Sequence, residues 1–196
     1  MTPRAIALDA VRPQPWRNGG GITRELLAWP TPDDWSVRLS VADVASDGPF
    51  SALPGVTRWF AVIEGAGVEL ELATGWRRLT SADAPLRFDG GQAPMCRLID
   101  GPTRDLNLML RNASGAMTQA VDHRPWSPAG TACALFAVVD GVCHTDSRRE
   151  RVAAHTLLWY EAPPPVMRFA ADNDTGAPVG WWLQWSGKRS AKGVQQ

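Results

Sequence analysis

The sequence has few of the residues on which several large classes of protein depend. It contains three cysteines and three histidines, and its only two lysines, Lys188 and Lys192, stand near the end of the chain. An odd number of cysteines without a CxxC motif argues against a disulfide framework and against a structural zinc site. No hydrophobic run approaches the length of a membrane span, and the apolar stretch after Met1 is too short and interrupted for a signal peptide. We therefore expect a cytoplasmic protein.

Net charge is also absent. The 20 basic residues balance 20 acidic residues, so no overall field would draw the chain to nucleic acid or to an anionic membrane. We expect a small molecule or another protein as the partner, and neither nucleic acid nor membrane. Almost all the basic residues are arginines, which suit two-pronged contacts with carboxylates, although genomic base composition can cause the same bias.

Glycine and proline, in contrast, are abundant. The 18 glycines and 16 prolines divide the chain into short segments in which apolar residues alternate with polar ones. In WSVRLSVA, at 35–42, Val37, Leu39 and Val41 share one face, and Arg38 and Ser40 share the other. Short alternating strands between turns predict an all-β sandwich or barrel with very little helix.

An internal repeat predicts two similar units. FAVIEG at 60–65 matches FAVVDG at 136–141, LRF at 86–88 resembles MRF at 167–169, and the Ala-Pro pair at 93–94 resembles that at 177–178. A duplicated unit of roughly 75 to 85 residues suits a small jelly-roll barrel. We predict a first barrel over 1–115, a Pro-rich connection over 116–130, a second barrel over 131–187 and a disordered polar tail over 188–196.

The histidines do not predict a metal centre. His123, His144 and His155 all follow residue 115, and no two of them have the spacing that would place both on one strand face. We therefore predict neither a metal ion nor another cofactor.

Polar residues on alternating strand positions point to an interior lining instead. Side chains of this kind cannot stay uncompensated in an apolar core, so they either form ion pairs between strands or line a pocket for a small molecule. On RDLNLML, Asn107 shares a face with Asp105 and Met109. The residues that we assign to this lining from the alternation are Glu25, Arg38, Ser40, Arg58 and Asn107, with Thr23 on the same face as Glu25.

The segment PWRNGGGITREL, at 15–26, sets three glycines before a predicted strand. Such a run marks backbone that bends sharply or approaches another group closely, so it is either a tight turn into the strand or a turn whose N–H groups face an anion. Trp16, beside the polar Arg17 and Asn18, is expected at the mouth of a pocket. The other tryptophans fit a core, whereas several of them exposed in one row would favour sugar binding.

Three segments together resemble the HutD family, which includes the Ves proteins. They are PWRNGGGITREL at 15–26, WSVRLSVADVASDGPFSALPGVTRWFAVIEGAG at 35–67 and CRLIDGPTRDLNLMLR at 96–111. The resemblance implies a bicupin fold, two small jelly-roll barrels without the histidines and glutamate that usually hold the cupin metal. It also implies a link to bacterial histidine utilisation, as a moderator of the pathway. The ligand-binding residues that the resemblance implies are Trp16, Asn18, Gly19, Gly20, Gly21, Thr23, Glu25, Arg38, Ser40, Arg58 and Asn107, beside a loop at 47–51.

Three functions stay open at this point. A regulatory protein would bind a small carboxylate metabolite such as urocanate, formylglutamate or formiminoglutamate, with Arg38 or Arg58 on the carboxylate and Glu25 and Asn107 on its N–H or carbonyl groups. A metal-free cupin enzyme, an isomerase or a hydrolase of an N-formyl or formimino compound, would use Glu25 as its general acid or base. A protein-interaction module would hold no ligand. An exposed edge of the second barrel would allow a homodimer.

Overall fold

The computed structural model describes residues 2–173 and 178–187, and these ranges are built almost entirely of β-strands. The helices in them are two single turns of 3-10 helix, Leu8–Ala10 and Gly90–Gln92. The all-β architecture predicted from the alternation of apolar residues is confirmed. No helix in the described part of the chain is long and apolar enough to cross a membrane.

The strands fall into two stretches of the chain. Those before residue 112 are β1 (Arg4–Ala7), β2 (Gln14–Pro15), β3 (Gly21–Pro30), β4 (Trp35–Val44), β5 (Gly48–Pro49), β6 (Val56–Glu64), β7 (Val68–Leu72), β8 (Gly75–Leu79), β9 (Leu86–Asp89), β10 (Met95–Leu98) and β11 (Thr103–Arg111). Those after it are β12 (Ser114–Ala120), β13 (Ala132–Ala137), β14 (Gly141–Thr145), β15 (Arg149–Val152), β16 (Thr156–Tyr160), β17 (Met167–Ala171) and β18 (Gly180–Ser186).

Four antiparallel sheets pack as successive layers. A four-stranded sheet (β5-β10-β7-β8) faces a six-stranded sheet (β2-β3-β4-β11-β6-β9), and a five-stranded sheet (β1-β16-β13-β18-β12) faces a three-stranded sheet (β15-β14-β17). One apolar core lies inside each of these two pairs. The largest core joins the six-stranded to the five-stranded sheet. The six-stranded sheet therefore has one face on that central core and the other toward the four-stranded sheet.

The central core contains the apolar face predicted for residues 35–42. Val37, Leu39 and Val41 of β4 are fully buried there, beside Leu106 and Leu108 of β11. Full burial of a side chain of this size stabilises the folded state by about 1.5–3 kcal/mol, so the central core holds the six-stranded sheet firmly. The opposite face of β4, which carries its polar residues, is left for the space between the six-stranded and four-stranded sheets.

The strand pairing occurs twice in the chain. In the first half, the neighbouring strands β9-β6-β11 of one sheet face β8-β7-β10 of another. In the second half, β16-β13-β18 and β15-β14-β17 have the same order. The short LRF match does not follow this correspondence, because LRF lies in β9 whereas MRF begins β17, which takes the place of β10. Residue 177, part of the Ala-Pro match, lies outside the described residues.

The six-residue match is also out of register with the repeated pairing. Phe60 lies in the core between the six-stranded and four-stranded sheets, whereas Phe136 lies in the central core, on the opposite kind of face. Neighbouring side chains of a strand alternate between faces, so a match displaced by one residue exchanges the inner and outer positions. The order of the strands therefore repeats between the two halves, whereas the short sequence matches do not lie at equivalent positions.

Strand pairing also crosses the boundaries predicted at residues 115 and 130. β1, near the start of the chain, pairs with β16, and β12 pairs with β18, so both belong to the five-stranded sheet. The two strands cover the outer edges of β16 and β18, where unpaired backbone groups would otherwise be exposed. The predicted tail at 188–196 lies outside the described residues.

Candidate functional site

Strand register brings the predicted polar residues together on one face of the six-stranded sheet. Residues two apart along a strand point to the same side, and paired strands set them in rows. Three neighbouring rows result across β3, β4, β11 and β6. They are Arg38–Met109–Arg58, then Glu25–Ser40–Asn107–Phe60, then Thr23–Ala42–Asp105–Val62.

All residues of these rows except Glu25 and Val62 line a cavity of about 650 Å³ and form its floor. Its volume lies within the usual range for small-molecule sites. Phe50 and Ser51, from the loop that the family resemblance placed beside the site, also line it. Seven of the predicted site residues line the cavity, namely Trp16, Asn18, Thr23, Arg38, Ser40, Arg58 and Asn107.

Glu25 and the three glycines are not among the lining residues. The Glu25 carboxylate instead pairs with Arg38, whose Nε atom lies 2.6 Å from Glu25 Oε2, without the alignment of a hydrogen bond. Glu25 is therefore the counter-ion of an arginine that lines the cavity. We had expected Glu25 to contact a ligand directly, and this pairing holds its carboxylate outside the lining.

The glycine run forms the tight turn that joins β2 to β3. Gly19 has φ +72°, a left-handed conformation that favours glycine, and the Asn18 side chain accepts a hydrogen bond from the Gly20 N–H at 3.1 Å. A Cβ atom on Gly21 would lie within 3.0 Å of the Asp43 carbonyl oxygen and at 3.2 Å from the Trp16 ring. Of the two interpretations of the run, the tight turn into the strand describes this geometry.

Trp16 is fixed at the side of the cavity by that turn. Its indole N–H donates a hydrogen bond to Thr23 Oγ1 at 2.7 Å, and its backbone N–H donates to the Gly21 carbonyl at 2.9 Å. Trp16, which we expected at the mouth of a pocket, is one of the residues that line the cavity. Among the residues described by the structure, Trp76, at 41% exposure, is the most exposed tryptophan, and no row of exposed rings is present there.

Arg58 is the most buried cation of the cavity. Its side chain is 5% exposed and lies between the Phe50 and Phe88 rings, with Cζ at 5.0 and 5.1 Å from their centres. Its Nη2 atom donates to Asn107 Oδ1 at 2.7 Å, whereas its Nε atom has no hydrogen-bond partner. Burial lowers the pKa of Arg58 to about 10, so the guanidinium stays charged at neutral pH.

Asp105 is a cavity residue that we left out of the predicted set. Its side chain is fully buried, Oδ2 accepts a long hydrogen bond of 3.4 Å from Thr103 Oγ1, and Oδ1 has no partner. Burial raises its pKa well above the usual value, against opposing contributions from Thr103 and the charge of Arg58. The alternation on β11 already placed Asp105 on the face of Asn107, so the signal was present in the sequence.

The polar groups of this cavity do not fit a metal ion. Its charged lining consists of guanidinium groups, which cannot ligate a cation and repel it, beside the single carboxyl group of Asp105. Within residues 2–173 and 178–187, no three histidine, cysteine, aspartate or glutamate side chains form a group that could hold a metal. The buried polar residues of the described chain are concentrated here: all except Thr156 belong to the six-stranded sheet.

A second charged cluster joins the two halves of the molecule. Arg104 contacts both Asp43 and Glu64, and Asp43 also pairs with Arg24 at 2.6 Å. His155, in the loop before β16, lies 2.7 Å from Glu64 through Nε2. This cluster links the six-stranded sheet to the five-stranded sheet beyond the central core, and none of its members lines the large cavity.

The fold and family now follow from comparisons with known proteins. The structure is similar to a cupin 2 conserved barrel domain protein from Leptotrichia buccalis, with a TM-score of 0.58 over 94% of this chain and 96% of that one, at 9% identity. A cupin-like fold is therefore shown. The model of the HutD family matches residues 8–177, and the chain belongs to the HutD family.

Two relatives illustrate the similarity. Protein Ves from Citrobacter koseri is 32% identical over 128 residues, which cover 64% of this chain and 67% of the relative. The structure of HutD from Pseudomonas fluorescens SBW25 has a TM-score of 0.81 at 24% identity and covers 95% of this chain and all of that one. The family predicted from three sequence segments is confirmed.

Proposed function

We propose that this protein binds a small carboxylate metabolite in the large cavity and thereby moderates histidine utilisation, as a bicupin without a metal. Urocanate, formylglutamate and formiminoglutamate are the ligands we favour, because each carries a carboxylate and is small enough for the cavity. The name of the family supports the pathway. The twofold strand pairing supports two barrels that arose by duplication.

One observation carries the ligand class. The Nε donor of Arg58 is buried at the cavity without a hydrogen-bond partner. A buried donor on a charged group is costly to leave unpaired, and a carboxylate satisfies guanidinium donors with short, charge-assisted hydrogen bonds. Arg38 lines the cavity on the same face, and its Nε atom also lacks an aligned hydrogen bond although Glu25 balances its charge.

The enzyme alternative has less support. Proton transfer by Glu25 would need a carboxylate that can reach the ligand, whereas Glu25 is paired with Arg38 and lies outside the lining. The interaction-module alternative predicts a sealed interior, and a cavity of about 650 Å³ argues against it.

Thermal denaturation with the three carboxylates tests the proposal. A ligand at a hundredfold excess over its Kd adds about 2.7 kcal/mol to the free energy of unfolding, which raises Tm by several degrees in a chain of this length. The uncharged methyl ester of urocanate is the matched control and should give no shift. Arg58→Met should cut the shift to about half or less at the same ligand concentration, whereas Arg97→Met should keep it, because Arg97 also stacks on an aromatic ring but lies outside the cavity. Equal shifts by urocanate and its ester would contradict the proposal.

A further inference from the structure

The cavity contains one buried hydrogen-bond acceptor that the fold leaves free. Asn107 Oδ1 already accepts from Arg58, and the Glu25 carboxylate is paired with Arg38. Asp105 Oδ1 alone among these three has no partner, although the Asp105 side chain is fully buried and lines the cavity. Buried polar atoms in folded proteins are nearly always paired, so an orphan of this kind calls for a partner that binds from outside.

The free acceptor and the free donor lie on the same floor. Asp105 and Asn107 are two residues apart on β11, a separation of about 7 Å along a strand, and the Arg58 guanidinium is bound to Asn107. A ligand with its carboxylate at Arg58 reaches Asp105 if it extends past Asn107 over about this distance. Phe60 lies beside Asn107 on the neighbouring strand and provides an apolar wall for the part in between.

We propose that the ligand is a carboxylate that also carries an N–H or O–H donor, and that this donor binds Asp105 Oδ1. This inference rests on the proposed function and narrows it to a two-ended ligand, such as an acid with an imidazole, amide or formamido group. Asp105 takes the role that the sequence had given to Glu25. Ionised and protonated carboxyl groups both keep an acceptor oxygen, so either form of Asp105 can accept a hydrogen bond from the ligand.

Matched ligand pairs test the inference on the full chain by calorimetric titration. Urocanate and cinnamate share the acrylate group, but cinnamate has a phenyl ring in place of the imidazole and lacks its N–H. Formylglutamate and glutarate share two carboxylates, but glutarate lacks the formamido N–H. We expect the donor-bearing member of a pair to bind at least tenfold more tightly. A site that binds a ligand N–H discriminates against the analogue that lacks it.

Asp105→Leu provides the second arm, because leucine has a similar branched shape and no acceptor. The variant should lose or reverse the preference for the donor-bearing member, because the ligand N–H would then face leucine and be left without an acceptor. A preference for the donor-bearing member that persists in Asp105→Leu would overturn the inference, as would equal binding of both pair members by the unsubstituted protein. In the second case the proposed carboxylate site would still stand. Failure of all four compounds to bind would instead contradict the proposed function itself.

Discussion

Arg38 and Arg58 stand on either side of Met109, and each is its direct cross-strand neighbour. The two guanidinium groups share the cavity but differ in their surroundings. The Arg38 side chain is 27% exposed and paired with Glu25, whereas Arg58 is 5% exposed and bound only to an amide oxygen. The difference predicts unequal contributions to ligand binding.

Replacing Arg58 should weaken carboxylate binding more than replacing Arg38. Hydrogen bonds to charged groups contribute about 1.5–3 kcal/mol when buried, and exposed pairs contribute about 1 kcal/mol or less. Arg58→Met should therefore raise Kd by about tenfold to a hundredfold, and Arg38→Met by about fivefold or less. Calorimetric titration measures both. A larger effect of Arg38→Met would show that the ligand sits at the Glu25 side of the cavity.

The tight turn before β3 predicts a sharp difference between two glycines. Gly21→Ala would bring a Cβ atom against the Asp43 carbonyl and the Trp16 ring, whereas Gly48 has nothing within 4 Å of a Cβ and no positive φ. Gly21→Ala should lower the free energy of unfolding by about 2 kcal/mol or more, because backbone must move to admit the methyl group. Gly48→Ala is the control, with an expected change within about 0.5 kcal/mol. Urea denaturation measures the free energy of unfolding of both variants. Similar decreases in the two would refute this role of Gly21.

The raised pKa of Asp105 predicts that the free energy of unfolding declines as pH rises. Its pKa is raised in the folded protein, so between 3.8, the usual value, and the folded pKa the folded state binds more protons than the unfolded chain. Stability gained by keeping this carboxyl neutral is thus lost as pH rises through the folded pKa, with a limiting slope of about 1.4 kcal/mol per pH unit. Denaturant unfolding of the ligand-free protein at several pH values should show a shallower decline in Asp105→Asn. Identical slopes for the two proteins would contradict the prediction.

The lowered pKa of Asp43 predicts the opposite: the free energy of unfolding declines as pH falls into the acid range. Burial opposes its ionisation, but hydrogen bonds and charges from Arg104 and Arg24 outweigh burial and lower its pKa below 3.8. The folded state then binds fewer protons than the unfolded chain, so the stabilisation is present above 3.8 and lost as pH falls through the folded pKa. Asp43→Asn should therefore lower the free energy of unfolding at neutral pH and flatten its further loss below pH 4. If Asp43→Asn loses stability below pH 4 as steeply as the unsubstituted protein, the prediction for Asp43 is contradicted.

Alternation of residue types was enough to predict the strands and much of the cavity floor. Val37 and Leu39 face the central core and Arg38 and Ser40 face the cavity, as WSVRLSVA indicated. The same alternation on β11 contained Asp105, but it could not show that Asp105 lacks a partner while Asn107 has one. Whether a buried polar group is paired depends on side chains from other strands, and strand register sets those contacts.

Long-range pairing was beyond the sequence pattern. β1 and β12 flank the five-stranded sheet, and nothing local in either segment encodes β16 or β18 as its neighbour. The glycine run shows the same limit on a smaller scale. Its composition fitted both a tight turn and an anion-facing turn, and it could not show how closely Asp43 and Trp16 approach Gly21.

A crystal structure with bound ligand tests the central claim most directly. Crystals would be soaked with whichever of the three carboxylates gives the largest rise in Tm, and the position of its carboxylate would be compared with Arg58 Nε. The account predicts that a carboxylate oxygen lies at about 2.7–2.9 Å from that atom, the length of a charge-assisted hydrogen bond. Electron density for the ligand elsewhere on the protein, with Arg58 Nε still unpaired, would contradict it.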